Sequence, residues 1–503
     1  MKTKVLKFII PVATLAITSC VEGTKKPNTK TGFVKVDEVT MVSSDFNNAF
    51  APSKGDVKLL VVPISFVGDA KDQPSDKYVD WTNNKISEVE NLYFGQSDSL
   101  YAYYSAASFN QLHISGMVAP IYENNSITTS SIRADDSGEV LFQLIEAAVG
   151  WLEDTQTNIN WNEYDFNQDG CIDNIHLITD YYEEDWGTTL WPHMWQTNII
   201  GTVERPSANV YSISGTGFMS DPYTAIHEQG HIFGLQDYYD YTLDSEIDYV
   251  GGYDMQSQTC FDWNSFSKLS MGWVKPYVIN GEADVTTVNI KAATINGDCI
   301  IIPADYSTWN GSAFDEYFLL ELFAPFGNNK KDWIEHQSSL GSKAGIRLYH
   351  VDARMYGSNT EEPYERESGS FENKLIIEDL EEQRINSKED IAKWNKRALG
   401  TNNSSSWVEG NEGIEQLGDK PLLSLIQKGK EFTFASKNGR HTLSANDLFK
   451  PGDTFSFKDY SIFLNKNFEV QELTNEGEDF PYTFTVDYVD EDDATITFNK
   501  VKH

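Results

Sequence analysis

Two histidines and a glutamate in one short segment carry the clearest chemical signal of this sequence. His227, Glu228 and His231 form the pattern H-E-x-x-H. On a helix the two histidines lie one turn apart on the same face, where both imidazoles can bind one Zn²⁺. Glu228 projects beside them, where it can take a proton from an attacking water. The pattern predicts a hydrolytic zinc site with Glu228 as the general base.

Signals for both ends of that helix flank the pattern. Asp221 and Pro222 are typical of a capping carboxylate followed by proline at the first helical position. Gly234 is typical of a helix end, because glycine adopts a positive φ at little cost. A sharp reversal there can return Asp237 to the metal as a third ligand. Three protein ligands would leave a position for water, whereas a structural zinc site takes four.

A methionine follows the site in a second glycine-rich segment, residues 251–255 (GGYDM). In metzincins a methionine on a tight turn lies beneath the metal, and Met255 is predicted to be that residue. Its alternative role is to fill the apolar core. In metzincins a nearby tyrosine often helps to hold the oxyanion. Three tyrosines are candidates, their spacing does not choose among them, and a purely structural role is the alternative for each: Tyr238, Tyr239 and Tyr253.

An acidic loop upstream could bind calcium. Its oxygen-bearing side chains occupy positions 1, 3, 5 and 9 of a loop like that of an EF-hand: Asp165, Asn167, Asp169 and Asp173. Gly170 stands at position 6, where the turn is sharpest, but position 12 lacks the bidentate glutamate. Another carboxylate must therefore complete the shell. The alternative is an Asx-rich turn that contacts only water.

The N-terminal segment is typical of an exported lipoprotein. Lysines at positions 2, 4 and 7 precede the apolar run 8–16, which is too short to span a bilayer. The run ends in Ile-Thr-Ser-Cys, which resembles the bacterial lipobox and predicts lipidation of Cys20. We therefore expect attachment by lipid to the bacterial outer membrane or cell surface. An ordinary cleaved signal peptide is the alternative.

Hydrophobic patterns divide the rest of the chain and predict an α+β fold. Residues 21–53 are polar and predict a linker or a short pro-segment. Strand and helix patterns alternate over residues 54–277, which we interpret as a catalytic domain with a mixed sheet and an active-site helix. Residues 278–503 are mostly β, with a charged surface insertion near 355–440.

Five segments have the clearest periodicity. Residues 56–66 and 284–290 are typical of strands. Residues 140–152 have the apolar spacing of a helix that packs on one face. Residues 482–489 and 494–501 flank an acidic turn, and their alternation predicts a hairpin.

The composition excludes some classes of partner. The chain has 503 residues with 39 basic and 76 acidic side chains, a formal charge of −37 at pH 7. A nucleic-acid-binding protein needs Lys and Arg to neutralise phosphates, so we expect no nucleic-acid partner. The same charge disfavours general adhesion to anionic lipid. Hydrophobic residues at 40 % and aromatic residues at 13 % suffice for a folded chain with a solvated acidic surface.

As a block, the segments around the site resemble the immune inhibitor A family of secreted bacterial zinc metallopeptidases. HEQGHIFGLQDYYD, GGYDMQSQ and FSKLSMGWVKP carry the resemblance at the site. VVPISFVGD, SLYAYYSAASFNQLHISGMV and LWPHMW carry it upstream, and EYFLLELFAP and GIRLYHVDAR carry it downstream. The similarity covers about residues 56–355.

This resemblance implies a zinc-dependent endopeptidase of metzincin-like architecture. The residues it implies are three zinc ligands, a base and a Met-turn residue: His227, His231, Asp237, Glu228 and Met255. Gln236 stands where the family usually has a proline before the third ligand. The short pro-segment and the charged insertion also depart from the family's pattern.

Two other functions stay open. A surface adhesin, or a lipoprotein that binds glycan or glycoprotein, would use the 12 tryptophans and the β-rich half. A structural envelope lipoprotein would keep the fold without activity, although the complete set of ligands and base disfavours it. The favoured hypothesis is a lipid-anchored endopeptidase that cleaves extracellular proteins, and a β-rich region that binds glycoprotein is compatible with it.

Overall fold

The computed structural model describes residues 31–46, 51–156, 158–240, 247–358, 364–365, 371–372, 384–391, 395–398, 400, 402, 420–435 and 442–501. The predicted export signal with Cys20, and much of the predicted insertion at 355–440, therefore lie outside the described residues. Within the described residues, none of the helices combines the length and the apolar character needed to cross a membrane.

Short strands and helices follow one another along these residues. The strands are β1 (Phe33–Lys35), β2 (Gly55–Phe66), β3 (Leu112–Val118), β4 (Tyr122–Asn124), β5 (Ile175–Thr179), β6 (His193–Gln196), β7 (Val210–Gly215), β8 (Tyr277–Ile279), β9 (Val285–Lys291), β10 (Cys299–Ile302), β11 (Glu316–Phe323), β12 (Gly345–Asp352), β13 (Met355–Ser358), β14 (Tyr364–Glu365), β15 (Phe371–Glu372), β16 (Asn395–Ala398), β17 (Leu423–Leu425), β18 (Thr454–Ser456), β19 (Tyr482–Val489) and β20 (Asp493–Lys500). The helices are α1 (Ser43–Phe46), α2 (Asn83–Phe94), α3 (Leu100–Ala107), α4 (Thr129–Arg133), α5 (Glu139–Thr155), α6 (Tyr223–Ile232), α7 (Met255–Gln258), α8 (Ser265–Ser270), α9 (Ala293–Asn296), α10 (Asn329–Glu335), α11 (Gln337–Leu340), α12 (Lys388–Ile391) and α13 (Phe457–Tyr460).

The first sheet has the strand order β3-β2-β5-β7-β6, and the short β4 also pairs with β2. Its pairs are parallel except that β6 runs antiparallel to β7. The apolar run predicted as a strand at 56–66 forms β2, which confirms that prediction. Successive side chains of β2 point to opposite faces, so Leu60 and Val62 join one core while Leu59 and Val61 join another.

Helix α5 covers one face of this sheet. Its buried residues include Leu141, Leu144 and Ile145, which share an apolar cluster with Leu60 and Val62. The helix spans Glu139–Thr155, so the helix predicted at 140–152 is confirmed. The spacing of its apolar residues creates a single stripe that packs on the sheet.

The second and third sheets pack face to face. The second has the order β1-β8-β10-β11-β12-β17, and the third has the order β18-β19-β20-β9. Side chains from both, such as Leu320, Leu348 and Phe484, form one apolar cluster. The predicted terminal hairpin is confirmed, because β19 and β20 pair antiparallel in the third sheet.

The other face of the second sheet shares a core with the first sheet. Leu59 of β2, Ile226 of α6 and Leu319 of β11 all belong to this largest apolar cluster, to which α3 and α8 also contribute. The protein is therefore a mixed α/β fold with mixed sheets, compatible with the predicted α+β class. The helix with the H-E-x-x-H pattern belongs to the core that joins the two sheets.

Two short strands lie in segments that composition marks as peripheral. Strand β1, within the predicted linker at 21–53, pairs antiparallel with β8. Strand β17, within the predicted insertion at 355–440, is buried and pairs with β12. The shared core also crosses the predicted boundary between residues 277 and 278. Sequence composition does not reveal these contacts, because each strand is only three residues long and depends on its partner.

Candidate metal centre

Helix α6 begins at Tyr223, one residue later than the sequence predicts, so Pro222 rather than Asp221 occupies the capping position. The Asp221 carboxylate accepts a hydrogen bond of 3.0 Å from the backbone N–H of Tyr223, the first helical residue. Pro222 immediately precedes the helix, and its carbonyl accepts from the N–H of Ile226. Most of the helix is buried, with β7 and α3 among its neighbours. Its polar side chains therefore lie in an interior site.

The chain reverses after α6 and brings a third group to the two histidines. Gly234 has a φ of +90°, a left-handed conformation that glycine tolerates best. Asp237 Oδ1 then lies 3.0 Å from His227 Nε2 and 3.5 Å from His231 Nε2. Across the described part of the chain, this is the one group of His, Cys, Asp and Glu side chains spaced closely enough for a metal ion.

Backbone carbonyls fix the protonation of both imidazoles. His227 Nδ1 lies 2.7 Å from the carbonyl oxygen of Met255, and His231 Nδ1 lies 2.8 Å from that of Leu235. A carbonyl only accepts, so each Nδ1 must donate its proton. In a neutral imidazole the lone pair is then on Nε2. Both Nε2 atoms are thereby prepared to bind a metal, as outer-shell carbonyls do in many metal sites.

Three acceptor atoms converge at the centre of this site. The Nε2 atoms of His227 and His231 are 3.2 Å apart, and both lie close to the Asp237 carboxylate. Two lone pairs and a carboxylate oxygen at such distances repel one another unless a proton or a cation lies among them. Two imidazoles with one carboxylate are a known donor set of catalytic zinc sites, which keep the fourth position for water. The residues present therefore fit a zinc ion.

The charges within this cluster shift its pKa values in opposite directions. Burial lowers the pKa of His231, but the Asp237 carboxylate outweighs burial and raises that pKa to about 9. Burial is also the largest single influence on His227 and lowers its pKa, but the hydrogen bond and charge of Asp237, together with the charge of Glu228, more than offset burial, so the pKa of His227 is raised. Burial raises the pKa of Asp237, but the two imidazoles more than offset it and hold this pKa well below its ordinary value. Protons therefore compete with a metal for these ligands.

Glu228 combines burial with a position next to the first histidine. Its side chain is buried, at 5 % exposure. Burial is the largest influence and raises the pKa of its carboxyl, while His227 and His231 lower it by a smaller amount. A raised pKa suits a carboxylate that must accept a proton and return it near neutral pH.

The segment with Met255 lies directly against both histidines. Met255 is fully buried, and its carbonyl is the one that binds His227. Gln256 Nε2 lies 3.4 Å from His231 Nδ1. A Cβ on Gly230 would lie 2.3 Å from Gln256 Oε1, so α6 and this segment are in close contact. Sequence reasoning missed Gln256, because no motif marks a glutamine after the methionine.

The three candidate tyrosines differ in exposure. Tyr238 is fully buried, and its hydroxyl lies 2.6 Å from Ser267 Oγ. Tyr253 is also buried, and its ring stacks on Phe261. Tyr239 is partly exposed. Exposure therefore favours Tyr239 among the three for contact with a substrate.

The acidic loop at 165–173 uses its side chains to bind its own backbone. Asp165 is buried and accepts two backbone hydrogen bonds of 3.0 Å from within the loop. The side-chain amide of Asn167 donates to the Asp169 carboxylate, and its amide oxygen accepts from the backbone N–H of Asp169. Burial, together with the Asp165 and Asp169 charges, raises the pKa of Asp173 to about 6. Calcium binding at these four residues stays a prediction.

Comparison with known proteins does not indicate a function for this chain. No family model matches the chain, and no curated protein matches it. The arrangement of His227, Glu228, His231 and Asp237 is therefore the evidence that bears on function.

Proposed function

We propose that this protein is an exported zinc-dependent endopeptidase of the immune inhibitor A type, with a metzincin-like catalytic region. The observation that carries the proposal is the convergence of His227 Nε2, His231 Nε2 and Asp237 Oδ1 at distances of 3.0 to 3.5 Å. Glu228, buried on the same helix, supplies the base that hydrolysis requires. The mixed first sheet, with its one antiparallel strand, is compatible with this architecture.

Each residue of the site has one task in this proposal. His227, His231 and Asp237 hold the zinc ion, and the backbone carbonyls behind the histidines keep their rings in place. When bound, zinc polarises the scissile carbonyl and makes the attacking water more acidic. Glu228 accepts the proton of that water on a carboxylate oxygen and delivers it to the nitrogen of the leaving amine. The peptide bond is thus exchanged for a carboxylate and an amine.

The substrates we propose are peptide bonds of extracellular proteins. Strand β6 is the last strand in the order of the first sheet and contacts α6. Within the described residues no strand pairs with its outer edge. An extended peptide can add to such an edge through backbone hydrogen bonds. This arrangement would align a substrate beside the site whatever its side chains are.

A paired assay tests the proposed function. Protein that lacks residues 1–20 should bind about one zinc per chain and cleave an unfolded protein. Glu228→Ala should retain the zinc, because Glu228 is not a ligand, and should lose cleavage by about 10²- to 10⁴-fold. Elemental analysis measures the zinc, and mass spectrometry of the digest measures cleavage.

The controls of that assay separate catalysis from general damage. Glu90→Ala, at an exposed position of α2, should keep both zinc and cleavage. A chelator should abolish cleavage, and added zinc should restore it. If the wild type and Glu228→Ala are equally inactive on many substrates, the proposal fails. A surface adhesin or a glycan-binding lipoprotein then becomes the better hypothesis.

We also propose calcium as a second metal, held by Asp165, Asn167, Asp169 and Asp173. Its support is the EF-hand-like spacing in the sequence. In this structure the three carboxylates do not lie as close together as the ligands of the metal centre, so calcium would have to draw them together. Burial is the largest cause of the raised pKa of Asp173, and the charges of Asp165 and Asp169, which a cation would offset, add to it. Calcium should then raise the melting temperature, and Asp173→Asn should remove that effect. If the melting temperature is identical with calcium and with chelator, the loop does not bind calcium and is an Asx-rich turn that contacts only water.

Attachment by lipid on Cys20 is the proposal for localisation. Its support is the lipobox-like sequence alone, since Cys20 lies outside the described residues. Cells that express the full chain should incorporate labelled fatty acid into it, and Cys20→Ser should abolish incorporation. Labelling that survives Cys20→Ser would refute this anchor.

A further inference from the structure

A buried ion pair of the second sheet faces the core that contains the metal centre. Glu321 of β11 and Arg347 of β12 stand directly opposite each other in the antiparallel register. Arg347 Nε donates to Glu321 Oε1 at 2.6 Å, and neither residue is more than 3 % exposed. Leu319 and Tyr349, which share their face of the sheet, belong to the core that also contains α6.

The same pair binds both ends of one loop. Arg347 Nη1 donates to the carbonyl oxygen of Tyr253 at 3.0 Å. Glu321 Oε2 accepts from the backbone N–H of Ser265 at 2.8 Å and from its hydroxyl at 2.5 Å. Residues 253–265, which we call the clamp loop, are therefore fixed at their start and at their end by one ion pair.

The clamp loop is also closed on itself. Asp254 Oδ2 accepts from the backbone N–H of Asn264 at 2.8 Å and from its side-chain amide at 2.7 Å. Trp263 Nε1 donates to Gln256 Oε1 at 3.1 Å. The two ends and the interior of the loop thus form one hydrogen-bonded unit that rests on the second sheet.

This unit contacts the neighbourhood of each of the three metal ligands. Met255 contributes the carbonyl that accepts from His227 Nδ1. The carbonyl of Gln256 accepts from the backbone N–H of Tyr238, the residue after Asp237, at 2.9 Å. Gln256 Nε2 lies 3.4 Å from His231 Nδ1. A displacement of the clamp loop would therefore move the carbonyl that holds His227, the backbone next to Asp237 and the Gln256 side chain that packs against His231.

We propose that Glu321 and Arg347 are positioning residues of the metal centre, which act on the zinc ligands through the clamp loop. The proposal rests on the proposed function, since it assigns these residues to the same site. A buried ion pair is weak support for stability, because the loss of hydration offsets its attraction. An apolar pair could not bond the clamp loop, so we assign this ion pair the role of holding the loop in place.

A double substitution with a matched control tests the proposal. Glu321→Leu with Arg347→Met replaces the pair by apolar side chains and removes both charges together, so that neither partner is left buried without the other. The control is Asp352→Leu with Arg354→Met, a buried bidentate pair near the end of β12 that bonds Asn475 instead of the clamp loop. Zinc affinity is measured by competition with a chelator, and hydrogen exchange of residues 253–265 is measured by mass spectrometry.

We expect the two double variants to differ in zinc affinity and in hydrogen exchange. The Glu321/Arg347 double variant should remain folded by circular dichroism, bind zinc about 10- to 100-fold more weakly and exchange faster in the clamp loop. The Asp352/Arg354 control should keep the zinc affinity and exchange of the wild type. A folded Glu321/Arg347 variant with wild-type affinity and wild-type exchange would overturn the proposal.

A milder variant decides the question if the double variant does not fold. Arg347→Lys keeps a positive charge beside Glu321 but loses the planar fork that also reaches Tyr253. It should weaken zinc binding and loosen the clamp loop, and an unchanged affinity with unchanged exchange would overturn the proposal. If the wild type binds no zinc, the proposed function fails, while hydrogen exchange still decides whether the ion pair holds the loop.

Discussion

At the scale of single residues, the chemistry of the centre depends on which nitrogen of each imidazole carries the proton. The carbonyls of Met255 and Leu235 place that proton on Nδ1 of His227 and His231. The Nε2 lone pairs then meet beside Asp237, a carboxylate that raises the pKa of both histidines. The same geometry that prepares the site for a cation therefore makes it a strong site for protons.

Proton release should accompany zinc binding. With a pKa of about 9, His231 is protonated in the metal-free protein at pH 7.5, but zinc requires the neutral ring. Calorimetric titrations in two buffers of different ionisation enthalpy should show at least about one proton released per zinc, and the affinity should rise with pH. Asp237→Asn should reduce this release, and a binding heat that does not depend on the buffer would contradict the prediction.

The raised pKa of His231 also gives the metal-free protein a specific pH dependence. Its folded pKa of about 9 lies above the ordinary value of 6.5, so its contribution to stability is fully present below about pH 6.5. That contribution is lost as the pH rises through about 9. Thermal unfolding in the presence of chelator should show a fall in melting temperature over this range, and Asp237→Asn should flatten it.

At the scale of elements, sequence patterns predict what is local. The alternation in β2, the apolar stripe of α5 and the β19–β20 hairpin follow from periods of about two or 3.6 residues. Strands β1 and β17 have only three residues each, and their place in the second sheet depends on distant partners. Elements with a clear period can therefore be predicted from the sequence, whereas short strands that depend on distant partners cannot.

In the site, too, the sequence predicts the local features and not those that depend on distant packing. His227, Glu228, His231 and Asp237 follow from spacing, because one helix and one turn bring them together. The contact between the clamp loop and Arg347 cannot be read from the chain, since it depends on the register of β11 and β12. The supports of the ligands are thus further apart in sequence than the ligands themselves.

Two helix glycines should respond in opposite ways to alanine. A Cβ on Gly230 would overlap Gln256 Oε1, so Gly230→Ala must displace the Gln256 side chain from its hydrogen bond with Trp263 and should lower both the melting temperature and zinc affinity. A Cβ on Gly150 of α5 meets nothing within 4 Å. Gly150→Ala should therefore stabilise the protein by about 0.5–1 kcal/mol.

Thermal melts and chelator competition on both alanine variants check this pair. Gly150→Ala is the matched control, since it makes the same change in a helix of the same protein. Wild-type zinc affinity in Gly230→Ala would show that the contact between α6 and the clamp loop has no influence on the ligands.

At the scale of the whole molecule, residues 54–277, which form the proposed catalytic region, and the β-rich region share a core. Leu59, Ile226 and Leu319 come from the first sheet, α6 and the second sheet, and they belong to one apolar cluster. Separating the chain at residue 277 would expose that cluster to water. The β-rich region is therefore a structural part of the core that contains the candidate metal centre.

Unfolding should consequently be cooperative across both regions. Because each region loses apolar contacts when the other unfolds, calorimetry should show one main transition for residues 31–501, and zinc should move it upward as a unit. Near-ultraviolet circular dichroism should follow the same curve. Two separate transitions, with only one sensitive to zinc, would contradict a shared core.

The most direct measurement is the X-ray absorption spectrum at the zinc edge of protein that lacks residues 1–20 and carries one equivalent of zinc. We expect two imidazole nitrogens and one carboxylate oxygen at about 2.0–2.2 Å, with a light-atom ligand from solvent in the remaining position. His231→Ala should remove one imidazole from this shell. A shell that contains sulfur at about 2.3 Å, or a spectrum unchanged by His231→Ala, would contradict zinc binding at His227, His231 and Asp237.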